Sequence, residues 1–437
     1  MAVARQSVHT LAASLLYVVL TLATSILVAR VLGPVGKGQV VVAVAVATLL
    51  AAAAGLGLPA AIVYHVGRKD GSAKDVFAVV SSLSLLLGGV IAAGLWLSGP
   101  VVLDVLLRGL DTRARLLSMA LIPLMLWVNS LASVLVGSSR IREYNRSLLV
   151  EPLAALPLTI LLVSVLGWGA FGAVLSLTLA LGARIVVTSA HIRRHLGMRL
   201  WFAWPYATSL LAYGVRAYPA SLVTVLSMRL DLYLLSVLSG NAAVGLYSLG
   251  VGFVEMTQQI PEALRTVIHG RLVASRDYAD QATPRACRQV VLLEVPAFVL
   301  AALLWAPVIS WLCGKAFVAS TVPFLLLLPA ALALSLTRLL FADLQARARP
   351  GLTGYAAVLG LASMVMLDLL LIPRLGASGA AIASSLSHSV ITLGCLMAFA
   401  RMSGVPPVRL LRVGRDDVRM LADTVATLWR RARSRAA

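Results

Sequence analysis

The chain is 437 residues long, 60% apolar and only 12% charged, with a mean hydropathy of +0.94. Soluble chains are about a quarter charged, and a sphere of this size cannot hide so much apolar side chain from water, so its solvent has to be lipid. The formal charge of +20, from 33 Arg and 4 Lys against 17 acids, would suggest nucleic acid on a soluble protein; here its meaning depends on where it falls relative to the spans.

A spanning helix needs about 20 mostly apolar residues. Such stretches occur at approximately 8–32, 39–65, 77–98, 115–136, 147–167, 170–192, 217–239, 242–269, 289–313, 318–341, 352–372 and 377–400. This predicts an all-α integral membrane protein with about 12 transmembrane helices. The first stretch reads as a span and not a cleaved signal peptide, because its apolar part is long and no small-x-small cleavage site follows. Between the spans, Arg and Lys alternate in density. One set of segments, including residues beyond 400, holds 25 of them and the opposite set holds 7. By the positive-inside rule both termini of this multi-pass protein are cytoplasmic. The last segment, 405–437, carries Arg430, Arg431, Arg433 and Arg435 after Leu410, Leu411, Val418, Leu421 and Trp429. It is expected to lie as a basic amphipathic helix on anionic lipid. Nothing resembling a nucleic-acid module accompanies the charge, so nucleic acid is not an expected partner.

The halves of the chain superpose at a shift of about 207 residues. Gly169-Ala-Phe-Gly-Ala173 opens the sixth span and Gly376-Ala-Ser-Gly-Ala380 the twelfth, while Arg140-Ile-Arg142 and Arg347-Ala-Arg349 follow the fourth and tenth. Val31-Leu32 matches Val237-Leu238, and Pro59 matches Pro261. Six is even, so both halves run the same way through the membrane, a parallel repeat common in transporters that rock around a central site. The expected organisation is a six-helix lobe over 1–200, a second over 201–404 and the tail over 405–437.

The first span places Ser14, Tyr17, Thr21 and Thr24, with Thr10, on one helix face. In the repeat, Ser14, Tyr17 and Thr24 fall on Ser221, Thr224 and Asp231, so matched polar stripes would line a shared cavity. Hydroxyls that bond back to their own helix give the competing reading. Ionisable groups inside spans are costly and mark functional sites by default. Arg229 and Asp231 fall near mid-depth of the seventh span and Glu255 at similar depth in the eighth, where Arg229 and Glu255 would be able to pair. Glu255, Gln258, Gln259 and Glu262 share a face, with Arg265 one turn beyond. Glu151 and Arg338 are near inner ends and can snorkel. Glu294 lies only a few residues into its span, and Asp368 near the outer end of its own.

Bond-making chemistry finds no constellation. Cys287, Cys313 and Cys395 give neither a disulfide framework nor metal spacing, and the six His are scattered. No P-loop is present, so ATP is not hydrolysed by this chain. No cofactor is expected, and the protein does not read as an enzyme.

Several motifs carry a family likeness. Ala29-Arg30-Val-Leu-Gly-Pro34 followed by Gly36 and Gly38, then Gly55-Leu-Gly-Leu-Pro59, resembles the opening of bacterial polysaccharide flippases. These belong to the multidrug/oligosaccharidyl-lipid/polysaccharide exporter superfamily. Arg229-Leu-Asp231, Val244-Gly-Leu-Tyr-Ser248 and Ile372-Pro-Arg-Leu-Gly376 with Gly379-Ala380-Ala381 resemble its second half. The resemblance, over about residues 5–400, implies an exporter-like (MATE-like) fold with a central cavity. It also implies transport of undecaprenyl-pyrophosphate-linked oligosaccharide from the inner to the outer leaflet. Several members have fourteen spans, against twelve here.

A pyrophosphate in a low-dielectric core needs cationic partners, and Arg offers a bidentate fork. Arg30, Arg216 and Arg229 are the candidates, with the hydroxyl stripes and Gln258 and Gln259 suited to sugar hydroxyls. Asp231, Glu255 and Glu262 are candidates for coupling to H+ or Na+. The competing functions are an ion-coupled multidrug antiporter, a membrane polysaccharide polymerase or glycosyltransferase, and a scaffold. An antiporter for cationic drugs would want fewer intramembrane Arg. A polymerase would want a sizeable outer loop with catalytic groups, whereas the longest outer connection here is about 15 residues.

Overall fold

The computed structural model describes residues 2–68, 75–197, 202–262, 264–265, 276–347, 349–414 and 417–419. Among them every regular element is helical. In chain order these are α1 (Ala2–Ala54), α2 (Leu58–Arg68), α3 (Val76–Leu97), the short α4 (Pro100–Leu106), α5 (Thr112–Gly137) and α6 (Ile141–Thr159). A π-helical turn (Ile160–Val165) extends α6, and α7 (Gly169–Leu196), α8 (Trp204–Ser239) and α9 (Asn241–Thr257) follow. The remainder is α10 (Arg276–Leu312), a 3-10 turn (Lys315–Ser320), α11 (Thr321–Ala346), α12 (Pro350–Leu375), α13 (Ala377–Ser403) and α14 (Pro407–Leu411).

Ten of these helices are long and apolar enough to cross a membrane, which makes this a multi-pass membrane protein. Ten and twelve are reconciled by two elements. Helix α1 merges the first two predicted spans across a kink at Gly33 (φ 66°, ψ −175°), ahead of Pro34. Lys37 Nζ donates to Ser25 Oγ at 2.7 Å; a straight helix would set those residues about 18 Å apart, so the chain folds back at Gly33. The eighth predicted span holds α9, only 17 residues long, with helical turns continuing through the described residues to Arg265. Large side chains left uncovered, such as Leu97, Leu303 and Trp311, are apolar, as a lipid-facing surface requires.

The chain divides into two compact units. The first comprises residues up to Leu249 with Val308–Ser320 and Val365–Ala380. The second comprises Gly250–Pro307, Thr321–Met364 and the residues from Ala381 onward. Lipid removes most of the hydrophobic drive between helices, so close fit and polar bonds have to hold them. In the first unit α1 packs on α5, α6, α7 and α8, α3 packs on α5, and α2 touches both α5 and α8. Small residues permit it: a Cβ on Gly57 would stand 2.2 Å from the Gly214 carbonyl oxygen. In the second unit Cys287, Val290, Leu339, Leu340 and Phe399 form a core from α10, α11 and α13. Beside it, Phe253 on α9 meets the Trp305 and Phe324 rings edge-on.

The duplication is visible in the backbone. Gly33 and Gly240, Gly169 and Gly376, and Gly197 and Gly404 are each 207 apart, and all six adopt positive φ. Inside the first unit the repeats also touch reciprocally. A Cβ on Gly38 would come within 1.7 Å of the Asn241 carbonyl oxygen, and one on Gly245 within 2.0 Å of the Pro34 carbonyl oxygen. Pro34 pairs with Asn241, and Gly38 with Gly245, under the same 207-residue shift. A contact in which residue i meets j′ while j meets i′ is the mark of two-fold symmetry.

The described part of the tail does not lie free. Leu410 on α14 is fully buried in the core of the second unit, while Leu411 and Val418 are exposed. Arg288 Nε donates to Asp417 Oδ2 at 2.8 Å and its Nη1 to the Arg409 carbonyl, also at 2.8 Å. Residues 405–414 and 417–419 therefore strap this unit, in place of the expected start of an amphipathic helix. Leu421, Trp429 and Arg430 to Arg435 lie outside the described residues.

Candidate functional site

The first unit holds a buried pair of carboxylates. Asp231 on α8 is 6% exposed; its Oδ1 accepts from the Leu232 N–H and its Oδ2 from the Tyr247 hydroxyl, both at 2.8 Å. Tyr247 sits sixteen residues on, beyond the positive-φ turn at Gly240, so the turn brings the phenol of α9 back onto α8. Asp368 on α12 is fully buried, and neither of its oxygens has a hydrogen-bond partner. It lies within electrostatic reach of Asp231. Two carboxyl groups are thus buried within reach of one another in this unit, and ionisable groups inside spans are costly. Sequence reasoning singled out Asp231 and placed Asp368 near an interface. Its burial beside Asp231 carried no local signal.

The cations of this unit differ in access. Arg30 is exposed, its Nη1 3.4 Å from the Trp311 carbonyl oxygen. Lys37, which the sequence assigned to an outer loop, is 7% exposed and in electrostatic reach of Cys313. Arg216 on α8 is exposed and Arg229 half-buried. Three hydroxyls of the stripes bond back to their own helices: Thr24 donates to the Leu20 carbonyl, Ser221 to Tyr218 and Thr224 to Ala220. Each hydroxyl oxygen keeps a lone pair for a further donor. Thr21, Ser221 and Thr224 are exposed, Ser14 and Tyr17 half-buried. On α6 and α7 Glu151 and Arg184 form an ion pair of 2.6 Å rather than standing separately at the ends of their spans.

In the second unit Glu262 accepts two bonds from Arg265, at 2.9 and 2.5 Å, with Arg338 at 3.7 Å. Arg338 is also in electrostatic reach of Glu255. Gln259 is half-buried. Gln258 is 3% exposed and donates through Nε2 to Ser335 Oγ at 3.1 Å and to the Ala331 carbonyl at 3.2 Å. Ser335 in turn donates to Glu294, which is fully buried. Toward the Arg-rich end of the unit, Arg347 reaches both Asp343 and Asp280 at 2.6 Å, and Thr283 donates to Asp343. Sequence reasoning missed this cluster, although Asp343 and Arg347 stand at the i,i+4 spacing of a helical ion pair. No group of three metal-ligating side chains occurs among the described residues.

Comparison with known proteins places this arrangement. The family described as "Polysaccharide biosynthesis protein" matches residues 3–267. Among solved structures, the lipid II flippase MurJ in an inward closed conformation superposes with a TM-score of 0.77 at 14% identity, over 95% of this chain and 92% of that one. A multidrug resistance MATE family transporter of the MOP superfamily, in its inward-facing conformation, gives a TM-score of 0.66 at 16% identity, over 91% and 98%. The Vibrio cholerae MATE transporter VcmN, in its bent form, gives 0.60 at 15% identity, over 94% and 99%. These likenesses establish the exporter-like fold. No curated protein matches the sequence.

Proposed function

Since the chain belongs to the polysaccharide biosynthesis protein family, we propose that it flips an oligosaccharide linked to undecaprenyl pyrophosphate from the inner to the outer leaflet for polysaccharide export. The observation that carries this is the family match over 3–267, on a fold shared with a lipid II flippase. Arg30, Arg216 and Arg229 hold the pyrophosphate, since a guanidinium gives two parallel bonds to a phosphate. Ser14, Tyr17, Thr21, Thr24, Ser221, Thr224 and Gln259 meet sugar hydroxyls through their remaining hydrogen-bonding capacity, and Gln258 does so where its Oε1 becomes accessible. Asp231, with Asp368 beside it, takes the coupling H+ or Na+, and Glu255 and Glu262 serve the same purpose in the second unit. Both termini are cytoplasmic in the inner membrane, supported by the 25-to-7 charge split. The tail's Arg residues beyond 419 meet anionic lipid, and the lobes divide near residue 200. Antiport of drugs is the second reading, favoured by the MATE likenesses; the family and the exposed Arg favour the lipid-linked sugar.

Deletion of the gene should leave lipid-linked sugar on the inner leaflet. Arg229→Ala should abolish export at normal membrane abundance, and Arg229→Lys should restore it only in part, because a point charge replaces a fork. Export by Arg229→Ala at the parental rate would remove Arg229 from the substrate path. An unchanged leaflet distribution after deletion would remove the flippase function itself.

A further inference from the structure

The second unit contains a carboxyl group that the proposed function does not use. Glu294 on α10 is 0% exposed. Its Oε1 accepts from Ser335 Oγ at 2.8 Å, and its Oε2 has no hydrogen-bond partner. Gln258 approaches the same hydroxyl from the other side, donating through Nε2 at 3.1 Å, and its Oε1 is likewise without a partner. Three helical segments thus converge on one serine oxygen and leave two buried oxygens unmatched. If Glu294 were ionised, both would be acceptors with no donor available, and an unpaired charge would sit in a lipid-embedded core.

No cation relieves it. Arg338 lies one turn along α11 from Ser335, but it is engaged by Glu262, with Arg265 and Glu255 in reach. His388 on α13 has its Nδ1 at the Ser384 carbonyl. Among the described residues no charged group bonds to Glu294. A neutral acid supplies what is missing, because its O–H is a donor and Gln258 Oε1 is an acceptor held on the same serine. A metal ion fits poorly. Only four side-chain oxygens, from three residues, meet here, with the Gln258 amide N–H turned onto one of them, whereas hard cations gather about six oxygens or more.

We propose that Glu294, Gln258 and Ser335 form a proton-binding site inside the second unit, with Glu294 as the carrier. The carboxylic acid is held neutral while α10 and α11 enclose it. When they part, its O–H bond breaks, the proton passes to water and the carboxylate remains until it is reprotonated. This site is separate from Asp231 and Asp368 and names the proton as the ion it takes.

Infrared spectra of the purified full-length protein in detergent at neutral pH test this without any substrate. The parent should show the carbonyl stretch of a neutral carboxylic acid that Glu294→Gln lacks and Glu255→Gln keeps. Ser335→Ala should move that band to higher frequency, since the acid loses a donor to its carbonyl oxygen. In D2O the band should shift faster than the core amides of α10 exchange, because the carrier must meet water without unfolding. In export assays Glu294→Gln should lose the pH response that the parent shows. The absence of a Glu294-dependent band would overturn the proposal. So would its removal by added sodium at constant pH, which would mean a cation site, or exchange only in step with the core amides, which would mean a buried structural acid. The spectra decide this even if the exported molecule is not a lipid-linked sugar.

Discussion

The two halves of this chain share their turns and differ in their acids. Gly33 and Gly240, Gly169 and Gly376, and Gly197 and Gly404 keep both the spacing and the positive φ of the duplication. Yet α1, α2, α3, α5 and α7 contain no Asp or Glu, whereas the helices of the later half carry Asp231, Glu255, Glu294, Asp343 and Asp368. At the position equivalent to Asp231 stands Thr24, which merely bonds back to Leu20. Backbone that must turn and cross closely admits few residues, so both copies keep it. Side chains facing the interior of a helix bundle are free to diverge once a second copy exists. The earlier half keeps the Glu151–Arg184 pair, while the fully buried acids lie in the later half, in two kinds of site: acids that have an arginine and acids that do not.

Removing the arginine from a paired acid should have the largest effect. Arg347→Ala leaves the fully buried Asp343 without its cation and, among the described residues, with Thr283 as its remaining side-chain donor. Losing one partner of a buried pair costs about 3–5 kcal/mol, which thermal unfolding in detergent will register. Replacing Arg347 and Asp343 together with apolar residues should recover much of it; no recovery would mean that the pair is not an ionic unit. Next come the reciprocal glycines. Gly38→Ala and Gly245→Ala each force a methyl into a carbonyl oxygen at 1.7 and 2.0 Å, and overpacking costs about 1–3 kcal/mol. Symmetry predicts similar losses in the two variants. A large loss in one alone would show that the crossing is not a true two-fold contact.

Much of this was legible in the sequence. The spans followed from runs of apolar residues, and the 207-residue shift from matched Gly-Ala and Arg-x-Arg motifs that reappear as matched turns. Polar depth was harder to read. Lys37 counts as a loop charge on any hydropathy profile, but the fold-back at Gly33 buries it against Ser25. Asp368 stands alone in its own helix, and only the packing of α12 near α8 makes it one of a pair. In the hydroxyl stripe of the first span, Thr24 bonds back to its own helix at Leu20. Periodicity tells which residues share a face; it does not tell what that face meets.

Unpaired acids should behave oppositely to Asp343. Asp368→Asn removes a carboxyl whose two oxygens have no hydrogen-bond partner, so thermal stability should hold or rise, because an amide costs less to bury than a charge beside Asp231. Export should nevertheless fall, as the proposed uptake of a proton or cation at this carboxyl requires. A stability loss comparable to that of Arg347→Ala would mark Asp368 as architecture and erase the distinction between the two kinds of acid.

The smallest effect belongs to the strap, which has no described counterpart in the first half. Burial alone would raise the Asp417 carboxyl, but the Gly414 N–H and the Arg288 guanidinium outweigh it and hold the group below its ordinary value. A carboxylate depressed in the folded state stabilises above its unfolded value, about pH 3.9, and loses that contribution as pH falls through the folded one. The strap should therefore stay docked from neutral pH down to about pH 5 and release in more acidic solution. At neutral pH Asp417→Asn should mimic that release, costing on the order of 1 kcal/mol, because the amide oxygen still accepts one of the bonds the carboxylate held. Amides of 407–419 should then exchange about fivefold faster, with α11 unaffected, and high salt should weaken the parent's strap in the same direction. Equal exchange in parent and variant would assign the docking to Leu410 alone.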